Sequence, residues 1–261
     1  LGSYIDRLVT DSMVGEQTPE KAERKLLYQA CQDALAKTKL TEKDIHLFIG
    51  GDLLNQIISS SYSARDLGIP FLASERQFRY PIELNIQHKG SNQWTVTGAA
   101  AAVVSNQGEG PRITKATFGR VLDYGIKSPN DMGAAMAPAA ADTLCRHFQD
   151  TNTSPGDYDL ILTGDLGSIG QKLFVRLVKE AGHTLGTKHM DVGAYIYKPE
   201  QGAGAGGSGC ACSALGILGY VIKEMYQGRY HRILAIATGA LFSPVSYQQG
   251  DSIAGIAHGI V

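Results

Sequence analysis

The residues of this chain whose types could do chemistry fall on a few turns and one short basic stretch. Cys210 and Cys212 follow a glycine-rich turn, Gly206-Gly207-Ser208-Gly209, at the expected start of a helix. A helix dipole there would lower a thiol pKa and supply a reactive thiolate; two small buried side chains packing helices together use the same residues without chemistry. His189 follows Lys188 beside an expected strand. It could face a ligand carboxylate or sit satisfied in the core. His258 stands between small residues at the last strand, where ligand contact competes with a structural place. Arg76 and Arg79 flank Phe78 in a stretch that ends at Tyr80. Guanidinium forks meet carboxylates bidentately and aromatic faces stack on flat rings, so this stretch suits a planar dianion; a solvated loop or a dimer contact is the plainer use. Asp165 and its echo Asp52 could cap a helix, hold a turn or meet a cation beside a ligand. Ser208 belongs to the same set of turns. No spaced oxygen-ligand loop and no CxxC pair occurs, so no metal site and no cofactor are expected.

An internal echo shows which elements must position these residues. Asp44 to Leu53 and Asp157 to Leu166 share Asp, Leu, Gly, Asp and Leu at one constant spacing, and each reads as a buried strand entering a Gly-Asp-Leu turn. Alanine-rich helical patterns and a Thr41 or Ser154 punctuation mark precede both at that same spacing. Such duplication predicts a pseudo-symmetric α/β protein, divided here as 1–118 and 119–261. Thr18-Pro19-Glu20 predicts a capped helix start. Further helices are expected at 56–65, 134–148, 168–181 and 210–227. Strands are expected at 45–49, 95–105, 113–121, 160–163, 192–197, 232–238 and 253–261. The small residues Gly98 to Ala102 permit close packing at a sheet edge or interface. The second copy carries a glycine-rich turn, a helix and a strand (206–242) that the first lacks, so roughly 40 residues are expected to be wanting near Leu72–Ser74.

Composition bounds the rest. With 261 residues, 43% hydrophobic and 19% charged, the chain can bury a substantial core. A net charge of −1 leaves no electrostatic footprint for nucleic acid. No run of eighteen apolar residues is present, and four scattered cysteines suit reduced thiols better than a disulfide framework.

Several longer motifs then agree with one family. Gly50-Gly51-Asp52-Leu53-Leu54-Asn55-Gln56, Glu75 to Pro81, Asp131-Met132-Gly133, Ala137 to Thr143, Gly186-Thr187-Lys188-His189, Gly206 to Ala214 and Ala257-His258-Gly259 closely resemble the stage V sporulation protein AD family of spore-forming Firmicutes. The resemblance implies a thiolase-like α/β fold, a duplicated α-β-α-β-α layering of two pseudo-symmetric halves, and a homodimer. It also implies binding of dipicolinic acid, free or as its calcium complex, for uptake into the developing spore. The protein would lie peripherally at the forespore or spore inner membrane, held by other products of its operon, and otherwise in the cytoplasm. Thiolase-like condensing enzymes pair a cysteine nucleophile with His and with His or Asn on turns of the second half. Here those turns offer Gly164-Asp165 and Ser208-Gly209-Cys210, and no nucleophile carries over. The expectation is therefore a binding scaffold without catalytic residues. Its ligand-side candidates are Arg76, Arg79, His189, Cys210, Cys212, His258, Asp165 and Ser208. The alternative is a thiolase or β-ketoacyl synthase-like acyltransferase acting on acyl-CoA.

Overall fold

Thr18 takes a hydrogen bond from the Lys21 N–H and hands over to Pro19, so helix α1 (Pro19–Ala36) opens where the sequence placed it. The computed structural model describes residues 2–52, 58–76 and 90–261; the sequence motif around Arg79 lies outside them. After α1 the chain makes a 3-10 turn (Glu42–Asp44), strand β1 (Phe48–Asp52), helix α2 (Ile58–Leu67) and strand β2 (Phe71–Arg76). β2 lies parallel to β1, Phe48 opposite Phe71. Strands β3 (Trp94–Thr95) and β4 (Ala116–Phe118) follow, then α3 (Met132–Thr151), β5 (Leu160–Thr163), α4 (Gly167–Glu180), β6 (His189–Asp191) and α5 (Val192–Tyr195). Beyond them come β7 (Gly207–Ser208), α6 (Cys210–Ala214) and α7 (Ile222–Tyr226) around a π-helical stretch Leu215–Val221. β8 (Ile233–Leu241), α8 (Pro244–Gln248) and β9 (Ala254–Ile260) end the chain.

These elements form two compact units. One comprises Leu1–Ile86, Thr95–Glu109 and Gly209–Tyr220; the other comprises Gln87–Trp94, Gly110–Ser208 and Val221–Val261. In the second unit a five-stranded mixed sheet runs β4-β9-β8-β5-β6, with β5 parallel to both β6 and β8, and β9 antiparallel to β8 and β4. Its core gathers Leu144, Phe148, Tyr158, Ile161, Phe174, Leu234 and Ile236. Helices α3 and α4 cross where Gly133 meets Gly170; a Cβ on Gly133 would stand 2.1 Å from the Leu166 carbonyl oxygen. In the first unit the described core is small, with Cys31, Leu67 and Ile69 buried and Leu27, Tyr28, Ile45 and Phe48 packed beside them.

The echo is physical. α1 begins at Pro19 and α3 at Met132, the same spacing that relates Gly51 to Gly164. Thr41 and Asp44 close a capping box around the first 3-10 turn, and Ser154 and Asp157 close its counterpart. Three expectations need correction. Residues 192–197 do not form a strand: Asp191 accepts a hydrogen bond from the Ala194 N–H, turning the chain into α5, and the strand comes earlier, at His189–Asp191. Of 95–105 only Thr95 is in a strand, because β structure exists by pairing and no partner is hydrogen-bonded to the rest among the described residues. The strand expected at 113–121 shrinks to Ala116–Phe118.

Candidate functional site

The chemistry-bearing residues of the second unit collect where β5, β6, β7 and β8 end. Burial of all four β5 side chains fixes the strand, and Thr163 at its end places its hydroxyl between two partners. It donates to Asp191 Oδ2 at 2.7 Å and stands 3.0 Å from His189 Nε2. With its proton committed to the carboxylate, the Thr163 oxygen accepts from Nε2–H, which assigns the tautomer from the network. His189 also lies against the Phe174 ring, 4.7 Å between centroids. Burial pushes its imidazole down to about 4, so it is neutral at pH 7.

Asp191 is fully buried and accepts four hydrogen bonds, from the Thr163 hydroxyl and from the N–H groups of Leu166, Gly167 and Ala194. Its carboxyl is pushed up to about 7, chiefly by desolvation and in part by neighbouring Asp165, against the pull of those donors. Gly167, at φ +66°, makes the turn that aims these N–H groups. The N-terminus of α4, a ready site for an external anion, is thus filled by an internal carboxylate.

Asp165, 4% exposed, completes the web. Its Oδ1 accepts from Thr238 Oγ1 at 2.7 Å and its Oδ2 from Ser208 Oγ at 3.2 Å. The Gln93 amide nitrogen donates to the backbone carbonyls of both Asp165 and Gly207. The arrangement ties β5, β6, β7 and β8 together and directs its hydroxyl donors inward, toward carboxylates, while the buried Gln93 Oε1 is left without a hydrogen-bond partner among the described residues.

Of the residues singled out from sequence, the structure brings Asp165 and Ser208 into direct contact, with His189 joined to the same web through Thr163 and Asp191. His258 stands elsewhere: on β9 it is exposed, accepts from the Gly119 N–H at 3.2 Å and meets the edge of Phe118. Cys210 and Cys212 belong to the other unit, Cys212 fully buried and Cys210 lining an apolar groove of about 990 Å3. Arg76 lies at the end of β2, and Arg79 outside the described residues. Asp191, Thr163, Thr238 and Gln93 were not singled out from sequence. The available signal was Asp191 three residues before Ala194, an N-cap spacing that the strand reading overrode.

Comparison with known proteins places these features in context. A family model described as stage V sporulation protein AD matches residues 1–74 and 71–261. The stage V sporulation protein AD of Bacillus subtilis is 42% identical over 298 residues, covering 100% of this chain and 88% of that protein. Among solved structures, 3-oxoacyl-[acyl-carrier-protein] synthase III of Aquifex aeolicus aligns with a TM-score of 0.53 at 12% identity, over 95% of this chain and 86% of the other. That likeness shows the fold, which is the thiolase-like α/β fold.

Proposed function

Because the chain belongs to the stage V sporulation protein AD family, we propose that it serves sporulation as a dipicolinate-binding protein, taking the acid free or as its calcium chelate and supporting its uptake into the developing spore. In this reading it acts at the inner spore membrane as a peripheral homodimer held by the other proteins of its operon. No described helix is long and apolar enough to cross a membrane, which agrees with a peripheral place.

One observation carries the choice of binding over acyl transfer. The two turns on which condensing enzymes of this fold present His or Asn carry Asp165 and Ser208, which are bonded to each other. A carboxylate there repels a developing oxyanion, and the N–H groups of Leu166 and Gly167 that would stabilise one already serve Asp191. A planar dianion is better met by cationic forks, and Arg76 and Arg79 remain the candidates for that role.

Calorimetric titration with dipicolinic acid, with and without calcium, tests the reading, with acetyl-CoA as the control. Saturable heat from dipicolinate, weakened about tenfold or more by Arg76→Gln or Arg79→Gln, supports it. Heat from acetyl-CoA alone, with acylation of a cysteine, overturns it in favour of an acyltransferase.

A further inference from the structure

Away from the strand ends, a chain of hydrogen-bonded side chains runs from β4 to the C-terminal end of α3, and one bond fixes the order of its protons. The Thr151 hydroxyl donates to the His147 carbonyl at 2.6 Å. Its oxygen is left to accept from Thr153 Oγ1 at 2.7 Å, and the Thr153 oxygen in turn accepts from the Tyr158 hydroxyl at 3.0 Å. With its proton committed, the Tyr158 oxygen accepts from His147 Nε2–H at 2.7 Å. A neutral imidazole carries one N–H, so Nδ1 is bare and accepts from the Thr117 hydroxyl at 2.7 Å.

The same strand meets a second histidine on its exposed side. His258 Nδ1 accepts from the Gly119 N–H at 3.2 Å, and its ring lies against the edge of Phe118. A backbone N–H can only donate, so this Nδ1 is bare as well. The stretch Thr117 to Gly119 is thus fastened to α3 and to β9 through two bare imidazole nitrogens. Its other ties are few. β4 has three residues, stands at the sheet edge and pairs with β9 alone, with backbone bonds from Lys115 to Val261 and from Leu122 to Gly255 on either side.

We propose that His147 and His258 form an acid-released latch on β4: a proton on Nδ1 of each sets an N–H against the donor it now accepts from, and the edge strand leaves β9. Thr117 is 8% exposed and its hydroxyl meets no second acceptor among the described residues, so a proton turned away from His147 is stranded. The Gly119 N–H cannot turn at all. An imidazolium at His147 would stand fully buried near Lys115 and Arg232, with Asp150 of α3 to favour it. Burial, reinforced by Lys115 and Arg232, holds that imidazole below its ordinary 6.5. Its contribution is therefore complete above 6.5 and is lost as pH falls below that value. His258 lies opposite Ala237 and beside Phe118, neither of them titratable, and nearby Arg120 is engaged by Asp142. Detaching a three-residue edge strand is a local opening, far less costly than parting α3 from its core, so it is the route by which the protons enter.

The test is amide exchange of the whole chain at pH 7.5 and 5.5, followed by NMR and corrected for the intrinsic effect of pH on exchange. Protection at Ala116–Phe118 and His258–Ile260 is expected to fall about fivefold or more on acidification, with much smaller changes in α4 and β5. His258→Asn keeps an accepting oxygen that takes no proton, and it should reduce the fall. Thr117→Val leaves both histidines in place and should bring protection at pH 7.5 down toward the acid level, so no variant of buried His147 is needed. Nitrogen shifts of isotope-labelled histidine should show the Nε2–H tautomer at His147 at pH 7.5. Protection of β4 that ignores acid would overturn the proposal, as would an equal loss in α4 and β5, which makes the effect global unfolding. An Nδ1–H tautomer at His147, full protection in Thr117→Val or an unaltered fall in His258→Asn would overturn it too.

Discussion

The run α1–β1–α2–β2 and the run α3–β5–α4–β6 are written in the same pattern and end in different surroundings. Both open with a long helix, pass a capping box, enter a parallel pair of strands and carry the sequence Gly-Asp-Leu. In the second, β8 and β9 extend the sheet under α3, and Phe148 and Leu144 are buried there. In the first, Leu35 and Cys31 occupy the matching positions of α1 and face a groove. A repeated sequence thus specifies local structure twice, whereas the worth of each side chain depends on the elements that close over it.

The comparison can be broken most forcefully at those helix positions. Phe148→Ala should cost about 3–5 kcal/mol, the penalty of emptying a packed site, while Leu35→Ala at the equivalent place should cost less than half as much because its neighbours already leave space. Equal losses in urea unfolding would contradict the open-groove view. The next effect is expected at the web of the second unit. Asp191→Ala strands four donors and should destabilise by about 3 kcal/mol, with faster amide exchange in α4 and β6 and none of that change in α1 or α2. A uniform loss across both units would mean that they unfold as one.

The same web should shape stability against pH. Asp191 holds its proton up to about 7 when folded and releases it near 3.8 when unfolded. Its contribution is therefore complete at low pH and is lost as pH rises through that window. His189 titrates near 4 when folded and 6.5 when unfolded, so its contribution is present above 6.5 and lost as pH falls toward 4. Between about 4 and 6.5 the two slopes oppose, and each is at most about 1.4 kcal/mol per pH unit. The unaltered protein should show little net slope there from this pair, whereas His189→Asn should lose stability steadily as pH rises from 4 to 7. A His189→Asn profile parallel to the unaltered one would refute this assignment. The smallest effect sharpens the likeness: Thr41→Ala and Ser154→Ala remove equivalent capping boxes, and each should cost about 1 kcal/mol, measured by thermal unfolding. Unequal costs would show that even these turns feel their surroundings.

Much of this molecule was legible from local pattern. Strand Leu160–Thr163 is a continuous buried apolar run, and α3, α4 and α1 carry helical periodicity with recognisable starts. Motif spacing identified the family and fold. Of the site, Asp165 and Ser208 were visible as turn residues, but their mutual bond was not. Their partners Thr238 and Gln93 come from distant parts of the chain, and no local rule brings these residues together.

By itself, then, the sequence determined what short-range physics controls: helix periodicity, capping boxes, glycine turns and the duplicated order of elements. Only the tertiary structure decided which expected strands exist and what the acidic residues do. A strand needs a hydrogen-bonded neighbour, and residues 96–104 have none among the described residues, whereas β9 has β8 and β4. A buried carboxylate needs donors, and Asp191 finds them on three separate elements, which makes the last residue of β6 the anchor of α4 and α5. Pairing and desolvation depend on contacts between residues far apart in the chain, so those outcomes follow from the fold rather than from any one segment.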